Sequence, residues 1–233
     1  MIFKSSFELA PVIVSTSFEE PVIANMPLVG FGKYFDTGDA SVAHDLVNNG
    51  NTQLPVDVAG VGNVLGVDAR YVPYNTPSTG LTDGDFCGVS DFVDTNDPDV
   101  IDNYTDGVQG YQMSDTDGIM VLEFDVVDLT LKTNNSVSID YFIRGFEIWE
   151  FDGDINSSAT DSFKIYVKDL TNMSEITFID TTGFDVDNLG ITGQWTTGML
   201  NLPDNIMMQL VVELRSNGST EAVFLDNVVV RGE

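Results

Sequence analysis

Residues 137–144 read Val137-Ser138-Ile139-Asp140-Tyr141-Phe142-Ile143-Arg144, and their alternation decides the fold class. Val137, Ile139, Tyr141 and Ile143 fall on one side of an extended chain, and a period of two is the mark of a strand with one face buried and one wet. The pattern recurs outward from there. Residues 121–129 set Leu122, Phe124 and Val126 against Glu123 and Asp125, and residues 163–168 set Phe163, Ile165 and Val167 against Lys164, Tyr166 and Lys168. Residues 208–215 and 222–231 close the chain as two more strands, and residues 12–20 open it. Turn clusters separate them, among them Asn134-Asn135-Ser136, Asp152-Gly153-Asp154 and Ser216-Asn217-Gly218-Ser219. Residues 24–105 are looser and hold most of the prolines, with short strands near 64–72 and 86–92. Helical periodicity is confined to residues 39–47, where Val42, Leu46 and Val47 share a face. Many short alternating strands predict an all-β fold, an antiparallel β-sandwich. With no composition break, residues 11–233 read as one domain behind an N-terminal extension, 1–10.

Composition limits what such a domain can do. At 233 residues it can bury a large core, and 42% hydrophobic residues exclude a disordered chain in spite of a net charge of −28. That charge comes from 37 acids against 9 Lys and Arg, and it repels nucleic acid and anionic lipid. No apolar run reaches the ~18 residues of a membrane helix, so no membrane insertion is expected. One Cys and one His exclude a disulfide framework and a Cys/His zinc site.

The same counting narrows the chemistry. His44 stands alone beside Asp45, as surface or capping histidines do, so no catalytic triad is read here. Glycoside hydrolysis needs only two carboxylates. Glu147 and Glu150 are the pair nearest to that requirement, and nothing in their surroundings marks them out. Glycan binding needs an aromatic face edged by polar groups. Trp149, between Glu147 and Glu150, and Trp195, after Gly193-Gln194, are the leading candidates, with Tyr74 and Tyr111 on or beside loops. For both tryptophans a place in the sandwich core is the competing expectation.

Two phrases at opposite ends of the chain are Ser17-Phe18-Glu19-Glu20-Pro21 and Phe224-Leu225-Asp226-Asn227-Val228-Val229-Val230. Together they resemble the jelly-roll carbohydrate-binding modules of secreted bacterial polysaccharide-degrading enzymes. Further phrases are similar to accessory domains of secreted proteins from marine Bacteroidetes. They are Tyr34-Phe35-Asp36-Thr37-Gly38-Asp39, His44-Asp45-Leu46-Val47-Asn48-Asn49, Leu81-Thr82-Asp83-Gly84-Asp85 and residues 109–118, Gln109 to Gly118. The resemblance implies a galactose-binding or carbohydrate-binding-module-like jelly roll that is secreted or displayed at the cell surface. It also implies that the first and last strands lie side by side and that their acids, Glu19, Glu20 and Asp226, help hold a structural calcium. Calcium takes six to eight oxygens, and Asp36-Thr37-Gly38-Asp39 is the best loop to add them. Asp115-Thr116-Asp117-Gly118 lacks the remaining acids of an EF-hand loop. The expectation is therefore a secreted, non-catalytic calcium module whose partner is a polysaccharide or glycan. The alternative is a structural or adhesive module that self-associates into a surface layer or filament.

Overall fold

The computed structural model describes residues 9–19, 28–29, 33–34, 63–73, 86–114, 116, 118–145, 149, 161–216, 218 and 220–233. They form strands β1 (Val12–Thr16), β2 (Leu28–Val29), β3 (Lys33–Tyr34), β4 (Val67–Pro73), β5 (Phe86–Ser90), β6 (Gly110–Ser114) and β7 (Gly118–Phe124). After these come β8 (Val127–Asp128), β9 (Ser136–Ile143), β10 (Ser162–Asp169), β11 (Ser174–Asp180), β12 (Trp195–Asn201), β13 (Met207–Ser216) and β14 (Ala222–Arg231). A 3-10 turn at Val186–Leu189 is the only helical segment among the described residues. Residues 39–47, read above as the one helical stretch, lie outside them.

The strands make the expected antiparallel jelly-roll sandwich. One sheet runs β12-β9-β14-β6-β5-β3-β2, with β1 added along β14; the other runs β11-β10-β13-β7-β4, with β8 added to β13. Inner-face residues follow the alternation. Val137, Ile139, Tyr141 and Ile143 of β9 meet Phe163, Ile165 and Val167 of β10 and Met208, Leu210, Val212 and Leu214 of β13 in one core. Residues 121–129 do not form one strand. After Phe124 the chain turns to bond Gly66, with Asp125 N donating to Gly66 O at 2.9 Å and Gly66 N donating to Asp125 Oδ2 at 2.9 Å. The kink shifts the parity, so Val127 is buried and Val126 is 45% exposed, the reverse of the sequence pattern.

A second parity shift, in β14, positions the site. Residues Ala222–Leu225 pair with β6, whereas Val228–Arg231 pair with β1. The first and last strands are thus neighbours, and β14 changes partner at Asp226-Asn227. There its register to β9 also slips, between Asp226 and Val229. Asn227 has φ +46°, a left-handed conformation that Asn tolerates better than other side chains. Because of this bulge Val223 and Leu225 before it, and Val228 and Val230 after it, all point into the core. Asp226 is left facing the outside of the sheet, directly opposite Asp140 of β9.

That outer face is covered by the segment between β5 and β6, residues 91–109. Val100, Ile101 and Tyr104 pack on Phe142, Ala222 and Phe224 in a small second core, with Phe92 and Trp195 at its edge. The Tyr104 ring lies against Gly110, where any Cβ would meet Cε1 and Cδ1.

Candidate functional site

The segment 91–109 is fastened by carboxylates from the two terminal strands. Asp226 Oδ2 accepts from Thr105 N and Asp106 N, both at 2.8 Å, and lies 3.0 Å from the Thr105 hydroxyl. Asp226 Oδ1 accepts from Asn227 N at 2.7 Å. The Thr105 hydroxyl donates at 2.7 Å to Asp140 Oδ2, which also takes Asn227 Nδ2 at 3.0 Å. Just past β1, Glu19 Oε1 accepts from Val108 N and Gln109 N at 2.8 Å each. Gln109 Nε2 returns a bond to Phe18 O at 2.9 Å. Gly107, at φ +85°, lets the carboxylate of Glu19 lie against it.

Successive backbone amides turned toward a carboxylate act as a small anion-binding nest. They make it possible to bury Asp226 with no exposure at all. Burial is the dominant influence on its acidity and pushes its carboxyl up to about 6, with the amide bonds pulling the other way. Tyr104 is driven the same way: burial raises its hydroxyl well above the ordinary tyrosine range.

Glu19 and Asp226, both expected to be calcium ligands, are therefore brought to the same five residues of backbone. Glu19 Oε1 and Asp226 Oδ2 are filled by amide donors. The oxygens without a donor among the described residues are Glu19 Oε2 and the buried Asp140 Oδ1. No three carboxylate, thiol or imidazole groups converge as a metal centre among the described residues. Glu20, Asp36 and Asp39 lie outside those residues, as do His44, Glu147 and Glu150. The chemistry of these two open carboxylate oxygens, and not a formed cluster, is what would suit a hard cation here.

Beside the fastened segment is a cleft of about 270 Å³. Its walls include Asp94, Asp97 and Asp102 of the segment, Phe142 of β9, and Gln194 and Trp195 at the start of β12. Trp195 is half-buried and held on two sides. Its Nε1 donates to Asn103 O at 2.8 Å, and its ring centroid lies 5.8 Å from Phe142 and 6.3 Å from Tyr104. The aspartates are shaped by local turns: Asp94 Oδ1 accepts from Asn96 N at 2.9 Å, and Asp97 Oδ1 from Asp99 N at 3.0 Å. Asp97 Oδ2 also pairs with Arg144 Nη2 at 3.1 Å.

Of the three described aromatic residues expected to meet a ligand, Trp195 alone lines this cleft. Tyr111 sits on the inner face of β6, fully buried, with its ring 5.7 Å from Phe18. Trp149 is also buried in the main core and donates Nε1–H to Arg144 O at 2.9 Å. Neither can offer a ring face to a sugar, and the reason is the same: in a sandwich the largest side chains fill the space between the sheets. Tyr74 lies outside the described residues. Sequence reading missed Asp140, Thr105 and the cleft aspartates. An acid at every second to fourth position through 91–106 was the available signal for the last of these; the Asp140–Asp226 pairing depends on register and leaves no local mark.

Comparison with known proteins gives no matching family model and no matching curated protein. Among solved structures, the chain is similar to the TmCBM61 module crystallised with β-1,4-galactotriose, at 11% identity and TM-score 0.40, covering 72% of this chain and 88% of that one. It is similar to the Stig cyclase Fisc from Fischerella sp. TAU at 15% identity and TM-score 0.46, covering 96% of each. The CBM22-1 xylan-binding domain of Paenibacillus barcinonensis Xyn10C matches at 15% and TM-score 0.34, over 97% of this chain and 96% of that one. At such scores the likenesses carry no argument about activity, which has to come from the site.

Proposed function

We propose that the protein is a non-catalytic carbohydrate-binding module that works outside the cell and takes a glycan chain in the cleft at Trp195. One observation carries the reading. The indole is clamped by Asn103, Phe142 and Tyr104, so the part left exposed is held rigidly on the wall of a cleft that also carries carboxylates and an amide. Sugars lay their C–H faces on such rings, while carboxylate and amide groups fix the hydroxyls. A rigid aromatic surface also loses little entropy on binding. At about 270 Å³ the cleft is smaller than most pockets that enclose a ligand, ~300 Å³ and above, which suits a short stretch of an extended polymer.

Calcium belongs to this proposal as a stabiliser away from the cleft. Glu19 and Asp226, the acids that the resemblance implies, would contribute oxygens to it alongside ligands from outside the described residues, and the ion would offset the charge buried under residues 105–109. Melting in calcium against melting in EDTA tests that part: a lower melting temperature in EDTA is expected, and an unchanged one removes the ion but leaves the cleft.

The glycan reading is tested by affinity electrophoresis in gels of soluble polysaccharides with the wild type and Trp195→Ala. Retardation in at least one gel, lost in Trp195→Ala while the far-ultraviolet circular dichroism is unchanged, is expected. Retardation in none of a panel of neutral, acidic and amine-bearing polymers would overturn it.

A further inference from the structure

The cleft carries more acid than hydroxyl recognition needs, and this says which sugars it takes. Of its three aspartates only Asp97 has a basic partner among the described residues, Arg144 at 3.1 Å; the other ion pairs among those residues, Lys164–Glu175 and Lys168–Glu123, join β10 to β11 and to β7 within the opposite sheet. Asp94 has one oxygen occupied by the Asn96 amide. Asp102 is exposed and takes no donor from the described residues. Two carboxylates thus face the cleft uncompensated beside the Trp195 ring, in a chain of net charge −28.

We infer that the cleft selects by charge: its preferred ligand is a polymer of amino sugars with free, protonated amines, and it rejects uronate and sulfated chains. This rests on the glycan reading above and adds the substrate class. An ammonium group beside a carboxylate forms a charge-assisted hydrogen bond, stronger than the hydroxyl bond it replaces. A uronate or sulfate in the same place meets like charge at short range and the field of the whole acidic surface. Trp195 supplies a stacking surface common to all hexoses; Asp94 and Asp102 distinguish among them. Arg144 does not reverse the preference, because Asp97 neutralises it in place.

The test is calorimetric titration of the full chain with three hexamers: glucosamine, N-acetylglucosamine and galacturonic acid, at a mildly acidic pH where the amine is charged. The glucosamine hexamer is expected to bind on the order of tenfold tighter than its acetylated form, the galacturonate hexamer weakest. The tenfold margin is expected to shrink several-fold in Asp102→Asn and at ~0.5 M salt, where screening acts within about 4 Å. Asp204→Asn, at the opposite end of β12, serves as the control for general attraction to an acidic surface and is expected to leave the margin intact. Equal affinity for the three hexamers, still lost in Trp195→Ala, overturns the charge selection while the glycan reading stands. Amine binding that survives Trp195→Ala, or that falls as much in Asp204→Asn as in Asp102→Asn, overturns the selection as a property of this cleft. Binding of none of the three, with retardation by a neutral polymer in the gels above, overturns it as well.

Discussion

Substituting Gly107 with alanine probes the fastening of residues 91–109 at its tightest point. Gly107 has φ +85°, and a Cβ there would stand 2.3 Å from Cδ and Oε1 of Glu19. Two costs follow. The left-handed backbone disfavours any L side chain by about 1 kcal/mol. The Glu19 carboxylate must also leave the amides of Val108 and Gln109, and bonds to a charged group are worth about 1.5–3 kcal/mol each when buried. Val108 is exposed and its amide can rehydrate, so about 2 kcal/mol is the reasonable figure for the pair. The total of about 3 kcal/mol corresponds to a melting temperature lower by about 6–12 °C at this chain length. Gly183 supplies the control: its φ is +81°, and no atom lies within 4 Å of the place an alanine methyl would take. Gly183→Ala should therefore show the backbone cost alone, about 1 kcal/mol. In a double-mutant cycle by urea denaturation, Gly107→Ala should cost no more than Gly183→Ala once Glu19 is already alanine, a coupling of about 2 kcal/mol. Equal costs for the two glycines in the wild-type background would refute the reasoning, since Glu19 would then be contributing nothing at residue 107.

Two other perturbations read different parts of the structure. Gly198, in the middle of β12, lies beneath the Phe178 ring of β11, with a Cβ only 2.0 Å from Cζ; Gly198→Ala should destabilise by about 1–3 kcal/mol through overpacking, and a calorimetric melting temperature equal to wild type would show that the ring moves freely. Asp169 closes the turn between β10 and β11 by accepting from Thr171 N, Asn172 N and Asn172 Nδ2, and the Asn172 side chain above all holds its carboxyl below the ordinary value of 3.8. A depressed acid stabilises above its unfolded value and loses that contribution as the pH falls through its folded one; Asp169→Asn should thus melt lower than wild type at neutral pH, with the gap closing below about pH 3.8, and a gap independent of pH would contradict the assignment.

The sandwich was legible because burial at period two leaves its mark on the long strands: residues 137–144 and 163–168 became strands with the expected inner faces, and residues 222–231 became a strand. β11 and β12 were not read. Both lie at sheet edges, where β11 alternates between exposed and half-buried positions and β12 carries Gly198 under an aromatic ring, so neither shows a clean apolar face. The kink after Phe124 and the bulge at Asp226-Asn227 each shift parity by one, and a parity shift cannot be seen without the partner strand. The site was legible in half. The first and last strands do lie side by side, and Glu19 and Asp226 each bond amides of residues 105–109. Their shared target, the amides of residues 105–109, depends on where a long connection folds back, and that is fixed by Ile101 and Tyr104 packing on Phe142 and Phe224. Trp195 could not be told from Trp149 by composition or spacing, because the difference lies in which cluster each indole packs into, the main core for Trp149 and the edge of the small second core for Trp195.

Acids of the first and last strands fasten the wall of the cleft through its backbone, and amide hydrogen exchange by nuclear magnetic resonance measures those bonds one at a time. The amides of Thr105, Asp106, Val108 and Gln109 should be protected in the wild type, and Glu19→Ala should release Val108 and Gln109 while leaving Thr105 and Asp106 slow. Exchange of all four at the rate of an open chain in the wild type would contradict this fastening.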